Sequence, residues 1–271
     1  MPRTAPRTQA APPNAAPVAA AAAQAAAGAR PIAGGQSLLP ALRLRLADPG
    51  QLVDLGRIPD LAGIRKESDH IVIGAMARHQ HVADSAEVRA AIPALADLAN
   101  HIGDRQVRAR GTLGGSLANN DPAACYPSAV LALGATVVTN RREIAADDFF
   151  VGMYTTALDE GELITAVRFP IARKASYQKF RQGASRFALV GVFVAQTAGG
   201  VRVAVTGAAS SVFRQSALEA ALNKSFTVAS VQGVKVDDAD LGSDIHASPA
   251  YRAQLIRVLT QRAVEKIAAS T

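Results

Sequence analysis

The chain has 271 residues, 49% of them hydrophobic and 19% charged, with 29 Lys plus Arg against 22 Asp plus Glu for a formal charge of +7, and a single cysteine. This length supports a real core in one large domain or two modest ones, and the apolar fraction excludes a disordered chain. A lone cysteine excludes an intramolecular disulfide, a four-thiolate zinc site and a self-contained iron–sulfur cluster, while basic charge with 4% aromatics and no Trp fits a bound anion or an acidic subunit better than nucleic acid.

Residues 1–29 are set apart by alanine, with Arg3, Arg7, Pro12 and Pro13 ahead of the run. A disordered stretch over 1–14 and a surface helix over 17–27 are predicted. Alanine has the highest helix propensity, and Gly28 supplies the stop. A cleaved export or transit segment is the alternative, and a cytoplasmic protein is the working assumption. No later run of about 18 apolar, uncharged residues predicts a membrane span. Downstream, β-branched runs predict strands at 71–73, 136–139, 163–169, 188–195 and 201–205. Helical spacing predicts helices over 88–102, 123–133, 216–222 and 248–268, the last with Ser248 as N-cap and Pro249 at the first helical position. Gly199 and Gly200 lie between two alternating apolar runs and predict a hairpin over 187–205. A boundary over 170–176 divides a larger N-terminal part from a C-terminal part of about 95 residues.

Two glycine-rich segments carry the chemistry. The first, Ile32-Ala33-Gly34-Gly35-Gln36-Ser37-Leu38-Leu39, can turn several backbone N–H groups toward one anion without a lysine, although a Gly-Gly pair is by itself also an ordinary turn. The second, Thr112-Leu113-Gly114-Gly115-Ser116, follows Gly111. Three glycines, a Thr and a Ser within six residues give up too much chain entropy to be mere connection. Neither segment has the lysine of a P-loop or the spacing of the dinucleotide fingerprint. Together they suggest a dinucleotide whose pyrophosphate lies between two subdomains.

These strings, with Val53-Asp54-Leu55, Val107-Arg108-Ala109-Arg110, Asp121-Pro122-Ala123-Ala124, Gly161-Glu162-Leu163-Ile164-Thr165, Tyr177-Gln178-Lys179-Phe180-Arg181 and the stretch Ser243 to Arg252, resemble the FAD-binding medium subunit of molybdenum hydroxylases, the carbon monoxide dehydrogenase and xanthine dehydrogenase flavoprotein family. The resemblance runs over about residues 30–268. It implies an α+β fold: a two-subdomain FAD-binding unit of the vanillyl-alcohol-oxidase (PCMH) type over 30–172, then a small α/β domain over 173–271 built on a three-stranded sheet, with 1–29 as a head outside both. It also implies a non-covalent FAD. Ala33 to Ser37, with Ile32, Leu38 and Leu39 beside them, would wrap its pyrophosphate, and Thr112 to Ser116 would add backbone and hydroxyl donors. Asn119 would lie on the flavin side, the Leu163 backbone near the adenine, and Lys179 close to the flavin ring, where a cation stabilises the anionic reduced form. Cys125 stands where many relatives carry an acidic residue that accepts bonds from the ribityl chain. A thiol is a poor acceptor, so Asp121, backbone or water could take over, or Cys125 could be a buried apolar side chain at a helix start.

By the same resemblance, the partners would be a large molybdopterin subunit and a small subunit with two 2Fe-2S clusters, as a dimer of heterotrimers, with electrons passing from the clusters through FAD to an external acceptor. No catalytic side chain and no metal ligand is expected here. A flavin-free basic scaffold and a self-sufficient flavin oxidase are the alternatives. Among other residues, His79 and His81 have ligand-like spacing on a predicted strand but no third ligand. Asp147 and Asp148 read as a solvated turn before a buried anchor, and Arg141 with Arg142 as exposed charge. Tyr154 sits in a loop that could approach the isoalloxazine. Arg105, Arg108 and Arg110 could meet phosphate or a partner.

Overall fold

The computed structural model describes residues 7–10 and 17–270. Its first unit is a small parallel sheet ordered β1 (Arg7–Ala10), β3 (Gln51–Asp54), β2 (Arg30–Ile32). Helix α1 (Pro17–Ala26) links β1 to β2, and α2 (Leu38–Arg43) links β2 to β3. The predicted alanine helix is present and stops at Gly28, whose φ of +92° is the left-handed turn a helix C-terminus favours. It is not a surface helix throughout. Ala21 and Ala22 are buried beside Val53, Leu55, Ile58 and Leu61, because only a methyl-sized side chain lets helix and sheet approach this closely. Of the residues predicted to be disordered, 7–10 form β1; 1–6 and 11–14 lie outside the described residues.

The second unit is an antiparallel five-stranded sheet ordered β4 (Ile64–Glu67), β5 (His70–Gly74), β10 (Ile164–Pro170), β6 (Thr136–Thr139), β7 (Glu143–Ala145). Between β5 and β6 come α3 (His79–Asp84), α4 (Ala86–Ala91), α5 (Pro93–Asn100), α6 (Arg105–Arg110), α7 (Leu113–Asn119) and α8 (Tyr126–Leu133). The helix predicted over 88–102 is two, broken at Ile92 because Pro93 cannot continue a preceding turn and instead starts α5. Period-two alternation turns Val167 and Phe169 inward, onto a core with Ile71, Ile73, Leu95, Leu98, Leu113, Leu117 and Tyr126. After β7, α9 (Ala146–Phe149) buries Phe149 and leads into the hairpin β8 (Phe150–Gly152) and β9 (Thr155–Thr156).

The third unit is the antiparallel sheet β11 (Lys174–Arg181), β12 (Ala188–Thr197), β13 (Gly200–Thr206), β14 (Phe213–Arg214), joined by α10 (Ser216–Lys224), α11 (Val228–Gln232) and α12 (Pro249–Ala269). It has four strands where three were expected, since a two-residue edge strand is too short to show alternation. The predicted hairpin is β12–β13, closed where Thr197 pairs with Gly200. Residues 188–195 are all buried because β12 is covered on both faces. Val190, Val192 and Val194 meet Ile256, Leu259 and Val264 of α12, and Phe193 and Ala195 join the core of the second unit. The stretch 243–252 is structural here. Asp244 accepts from the N–H groups of His246 and Ala247, and pairs with buried Arg252, which donates to the Leu189 and Gly207 carbonyls. Ser248 caps α12 as predicted.

Candidate functional site: two glycine segments and a thiol–ammonium contact

Strand β2 ends at Ile32 and delivers the first glycine segment to the edge of the first unit. Strand β5 ends at Gly74, and its continuation holds the second. The Leu113 N–H donates to the Ala77 carbonyl (3.0 Å), the Gly114 N–H to the Ala75 carbonyl (2.7 Å) and the His79 N–H to the Gly111 carbonyl (2.9 Å). The segments lie against each other. A Cβ on Gly34 would strike the Arg110 carbonyl and lie 2.7 Å from Gly111 Cα, and one on Gly115 would sit 3.4 Å from Ala33 Cβ. Glycine is required at this contact because backbone packs on backbone.

Within that contact the two segments differ. Among the described residues, the N–H groups of Gly34, Gly35, Gln36 and Ser37 donate to nothing in the chain, and Gly35 holds φ at +73°. These residues are half-buried or exposed, so their four donors are left for solvent or a ligand. The second segment is not a loop but the start of α7. Thr112 is its N-cap, accepting from the Gly115 N–H (3.2 Å), and the Ser116 N–H donates to the Thr112 carbonyl. Its backbone donors from Leu113 to Ser116 are spent within the chain. What it can offer outward is the hydroxyl of half-buried Ser116, since Thr112 is buried and its hydroxyl serves as the cap.

Behind this segment stands His79, placed on helix α3 rather than on a strand because β5 has already ended at Gly74. Its buried ring packs so closely under Gly111 that a Cβ there would lie 2.5 Å from Nε2. Burial, with the Arg108 guanidinium acting in the same direction, pushes the imidazole down to about 4. Nδ1 has no partner, and the ring lies 5.3 Å from that of Tyr126, whose hydroxyl is also buried and unpartnered. His81 is exposed, and no cluster of metal-ligating side chains occurs among the described residues.

Beyond the C-terminal end of α7, Asn119 is half-buried and makes no side-chain hydrogen bond among the described residues; its neighbour Asn120, which the sequence reading passed over, does the anchoring. Asn120 takes the left-handed cap (φ 41°) and donates through Nδ2 to the carbonyls of Gly152 and Thr155, fixing the β8–β9 hairpin. Its Asn side chain at a left-handed cap was the available signal. Tyr154 at that hairpin's tip is exposed at φ 54°, and burial plus the Asp121 carboxylate raise its phenol. Asp121 Oδ1 accepts from the Ala123 N–H. Thr206 Oγ1 lies within hydrogen-bond distance of the Pro122 and Ala124 carbonyls, so the third unit pins this segment.

Cys125 and Lys179, 54 residues apart, meet. Cys125 is buried at the N-terminus of α8, and Lys179 Nζ lies 3.3 Å from its Sγ and 3.0 Å from the His101 carbonyl oxygen. Among the described residues Lys179 has no carboxylate partner, so a half-buried ammonium is held by a thiol and a carbonyl alone. Leu163 packs with Ala21, Ala22 and Val53, and its N–H and carbonyl are both engaged by Asn140. Asp147, exposed as expected, pairs with Arg202 and Arg214. Arg142 departs from plain exposed charge: it bonds Glu162, a buried carboxylate that this contact above all holds down to about 2. Arg108 donates to Gln80 and to the Ile102 carbonyl, whereas Arg105 and Arg110 are exposed.

Four free N–H groups and the Ser116 hydroxyl, beside a contact so close that only glycine fits it, suit a pyrophosphate. Fold and site therefore define a dinucleotide-binding protein of the two-subdomain FAD type. The model of the FAD-binding domain in molybdopterin dehydrogenases matches residues 8–172, and the chain belongs to that family. The match begins inside the alanine-rich head, which α1 ties into the first unit. The chain is 38% identical over 185 residues to the carbon monoxide dehydrogenase medium chain of Hydrogenophaga pseudoflava, covering 64% of each, and 38% identical over 187 residues to the nicotine 6-hydroxylase medium subunit of Paenarthrobacter nicotinovorans, covering 65% and 66%. The matched parts thus span just under two thirds of those relatives. A solved structure of reconstituted CO dehydrogenase from Oligotropha carboxidovorans superposes over 100% of both chains with a TM-score of 0.89 at 30% identity.

Proposed function

We propose that this chain is the FAD-carrying electron-transfer subunit of a heterotrimeric molybdenum hydroxylase, working in the cytoplasm and passing electrons from the 2Fe-2S clusters of a small partner subunit to an external acceptor. The observation that carries the reading is the meeting of the two glycine segments with the N–H groups of Gly34 to Ser37 unspent. FAD, when bound, supplies reversible two-electron chemistry and a bridge to one-electron carriers.

Everything else falls to this chain's residues. Gly34 to Ser37 present backbone donors to the diphosphate, Ser116 adds a hydroxyl, and Thr112, with Leu113 to Gly115, holds the turn behind them. Ile32, Leu38 and Leu39 flank it, and Leu163 closes the adenine side. Lys179 places an uncompensated cation at the far end, beside Cys125, where negative charge on the cofactor would be favoured. Asn119, Asp121 and Cys125 line the intervening segment. The relatives act on substrates as unlike as carbon monoxide and nicotine. This supports a role in electron delivery, with the substrate chosen by the molybdopterin subunit.

The test is the absorption spectrum of the purified chain before and after acid precipitation. A yellow protein that releases FAD into the acid supernatant is expected. A colourless chain that binds no added FAD would leave the scaffold reading standing, and colour retained in the pellet would point to a covalent oxidase.

A further inference from the structure

Tyr177 and Cys125 are only 3% and 5% exposed, and each ends in a polar atom. Tyr177 and Lys179 are two residues apart on β11 and so turn to the same face, where both lie against Cys125. The Tyr177 hydroxyl is buried and has no hydrogen-bond partner among the described residues. Burial above all, and then the neighbouring Cys125 sulfur, push its phenol well above the usual value, so it remains a protonated donor. Room for it is made by Gly191, the residue paired with Lys179 across β11 and β12: a Cβ there would lie 2.7 Å from the Tyr177 oxygen. Glycine in the middle of a buried strand weakens it, yet the hydroxyl it accommodates has no acceptor. The second donor is the Lys179 ammonium, 3.3 Å from Sγ, with the His101 carbonyl as its other contact. Asp97, the carboxylate that also acts on Tyr177, is engaged by Lys266 and His101. Two donors thus converge on a thiol, which is a poor acceptor. An anionic oxygen carried by the sulfur would satisfy both.

We infer that Cys125 is an oxidation site whose sulfenate is held by Lys179 and the Tyr177 hydroxyl. The oxidant is hydrogen peroxide, one molecule per thiol. An S–O bond forms as the O–O bond breaks, sulfur gives up two electrons, and the departing hydroxide takes the thiol proton and leaves as water. The sulfenic acid then releases its proton to solvent, and its oxygen accepts from Tyr177 and pairs with Lys179, both charge-assisted contacts. Lys179 is half-buried, so solvent reaches the neighbour of the sulfur. The chain has no second cysteine to resolve the product as an internal disulfide, so the oxygen stays until an external thiol removes it. The oxidation itself needs no flavin. Its consequence rests on the proposed function: the sulfenate cancels the Lys179 charge at the flavin end and leaves the anionic reduced cofactor less stable.

The test treats the full chain with hydrogen peroxide, denatures it into dimedone to trap sulfenic acid, and reads the Cys125 peptide by mass. Met153, 54% exposed, gauges the dose through its sulfoxide. The wild-type sulfur is expected to stop at one oxygen, and the oxidised chain to melt higher than Cys125→Ser after the same treatment. Tyr177→Phe removes only a hydroxyl without a partner, so the untreated variant should fold and melt at least as high as the wild type. After peroxide it should gain no melting temperature and pass on to the sulfinic acid at least about tenfold faster, the factor carried by one hydrogen bond to an anion. A Cys125 still present as free thiol once Met153 is sulfoxide would overturn the inference. So would sulfinic acid forming equally fast in wild type and Tyr177→Phe, or a covalent link from the sulfur to Lys179 in place of sulfenic acid. FAD binding is measured on the same samples: a chain that holds the sulfenate but binds no FAD would sink the proposed function and support the oxidation site, and a flavin-loaded chain with an inert thiol would do the reverse.

Discussion

The two glycine segments have nearly the same composition and opposite physical states. In the segment at 33–37 the glycines leave donors unspent: the N–H groups of Gly34 to Ser37 have no partner in the chain. In the segment at 111–116 they allow close packing: Gly111 lies over His79, Gly114 over Ala75, Gly115 against Ala33, and the N–H groups from Leu113 to Ser116 are all used. On the proposed function the first is the anion surface, supported by the second, which is a joint between β5, α3 and α7. A glycine-rich string therefore says nothing about ligand contact until the fate of each N–H is known.

The sharpest way to break this contrast is Gly114→Ala. The new Cβ would sit 2.6 Å from Ala75 Cβ and 2.9 Å from the Ala75 carbonyl oxygen, both fixed parts of the joint rather than flexible side-chain ends. Forced overpacking of this kind costs on the order of 1–3 kcal/mol. We expect the apo chain to lose several degrees of melting temperature, with FAD affinity falling as a consequence. An unchanged melting curve with lost FAD binding would mean that the second segment contacts the ligand first and supports the fold second.

His79 gives a second probe of the joint, comparable in size but switched by acid. Its imidazole is held at about 4 in the folded chain, against about 6.5 for a free histidine. Between these values the unfolded chain binds a proton that the folded chain does not. Stability is therefore fully present above pH 6.5, falls as the pH drops and levels off below pH 4, by up to about 3 kcal/mol. The urea midpoint of the apo chain should decline from pH 6.5 to 4.5, and His79→Gln should remove most of that slope. Glu162, held at about 2 by Arg142, weakens the fold only at lower pH and does not overlap the upper half of this window. A slope that persists in His79→Gln would show that another group carries it.

The pattern of legibility follows from these interactions. Strands such as Thr136–Thr139 and the helix after Ser248 were readable because local periodicity and a cap define them. Both glycine segments were visible as strings, and the family to which they belong fixed the cofactor. Their different roles were not visible, because they depend on carbonyls at Ala75 and Ala77, far away in sequence and just past the end of a strand. His79 was misplaced for the same reason, since nothing in its own neighbourhood announces that β5 stops at Gly74. The contact between Cys125 and Lys179 joins two units across 54 residues, and single-sequence spacing carries no such information. Leu44 and Leu46 are exposed although apolar, and hydrophobicity alone does not separate a core leucine from a surface one.

Gly35→Ala probes the open side of the comparison, with a smaller expected effect on the fold. Gly35 holds φ at +73°, which costs an L residue about 1 kcal/mol. Its new Cβ would press on Leu39 Cδ1 and Cγ, part of an exposed side chain that can rotate away, and touch Ile32 Cδ1 at an ordinary 3.9 Å. The stability loss should stay near that 1 kcal/mol, well short of Gly114→Ala. Binding is a different matter, because relaxing the strained φ rotates the peptide planes on either side and re-aims the unpaired N–H groups next to Gly35. A charge-assisted bond from such an N–H contributes about 1.5–3 kcal/mol, so misaiming one lowers FAD affinity at least about tenfold. Fluorescence titration of the apo variant with FAD, set beside its melting curve, separates the two effects. If Gly35→Ala instead melts early and binds FAD normally once folded, the first segment is the joint and the second is the anion surface, and the contrast drawn between them is reversed.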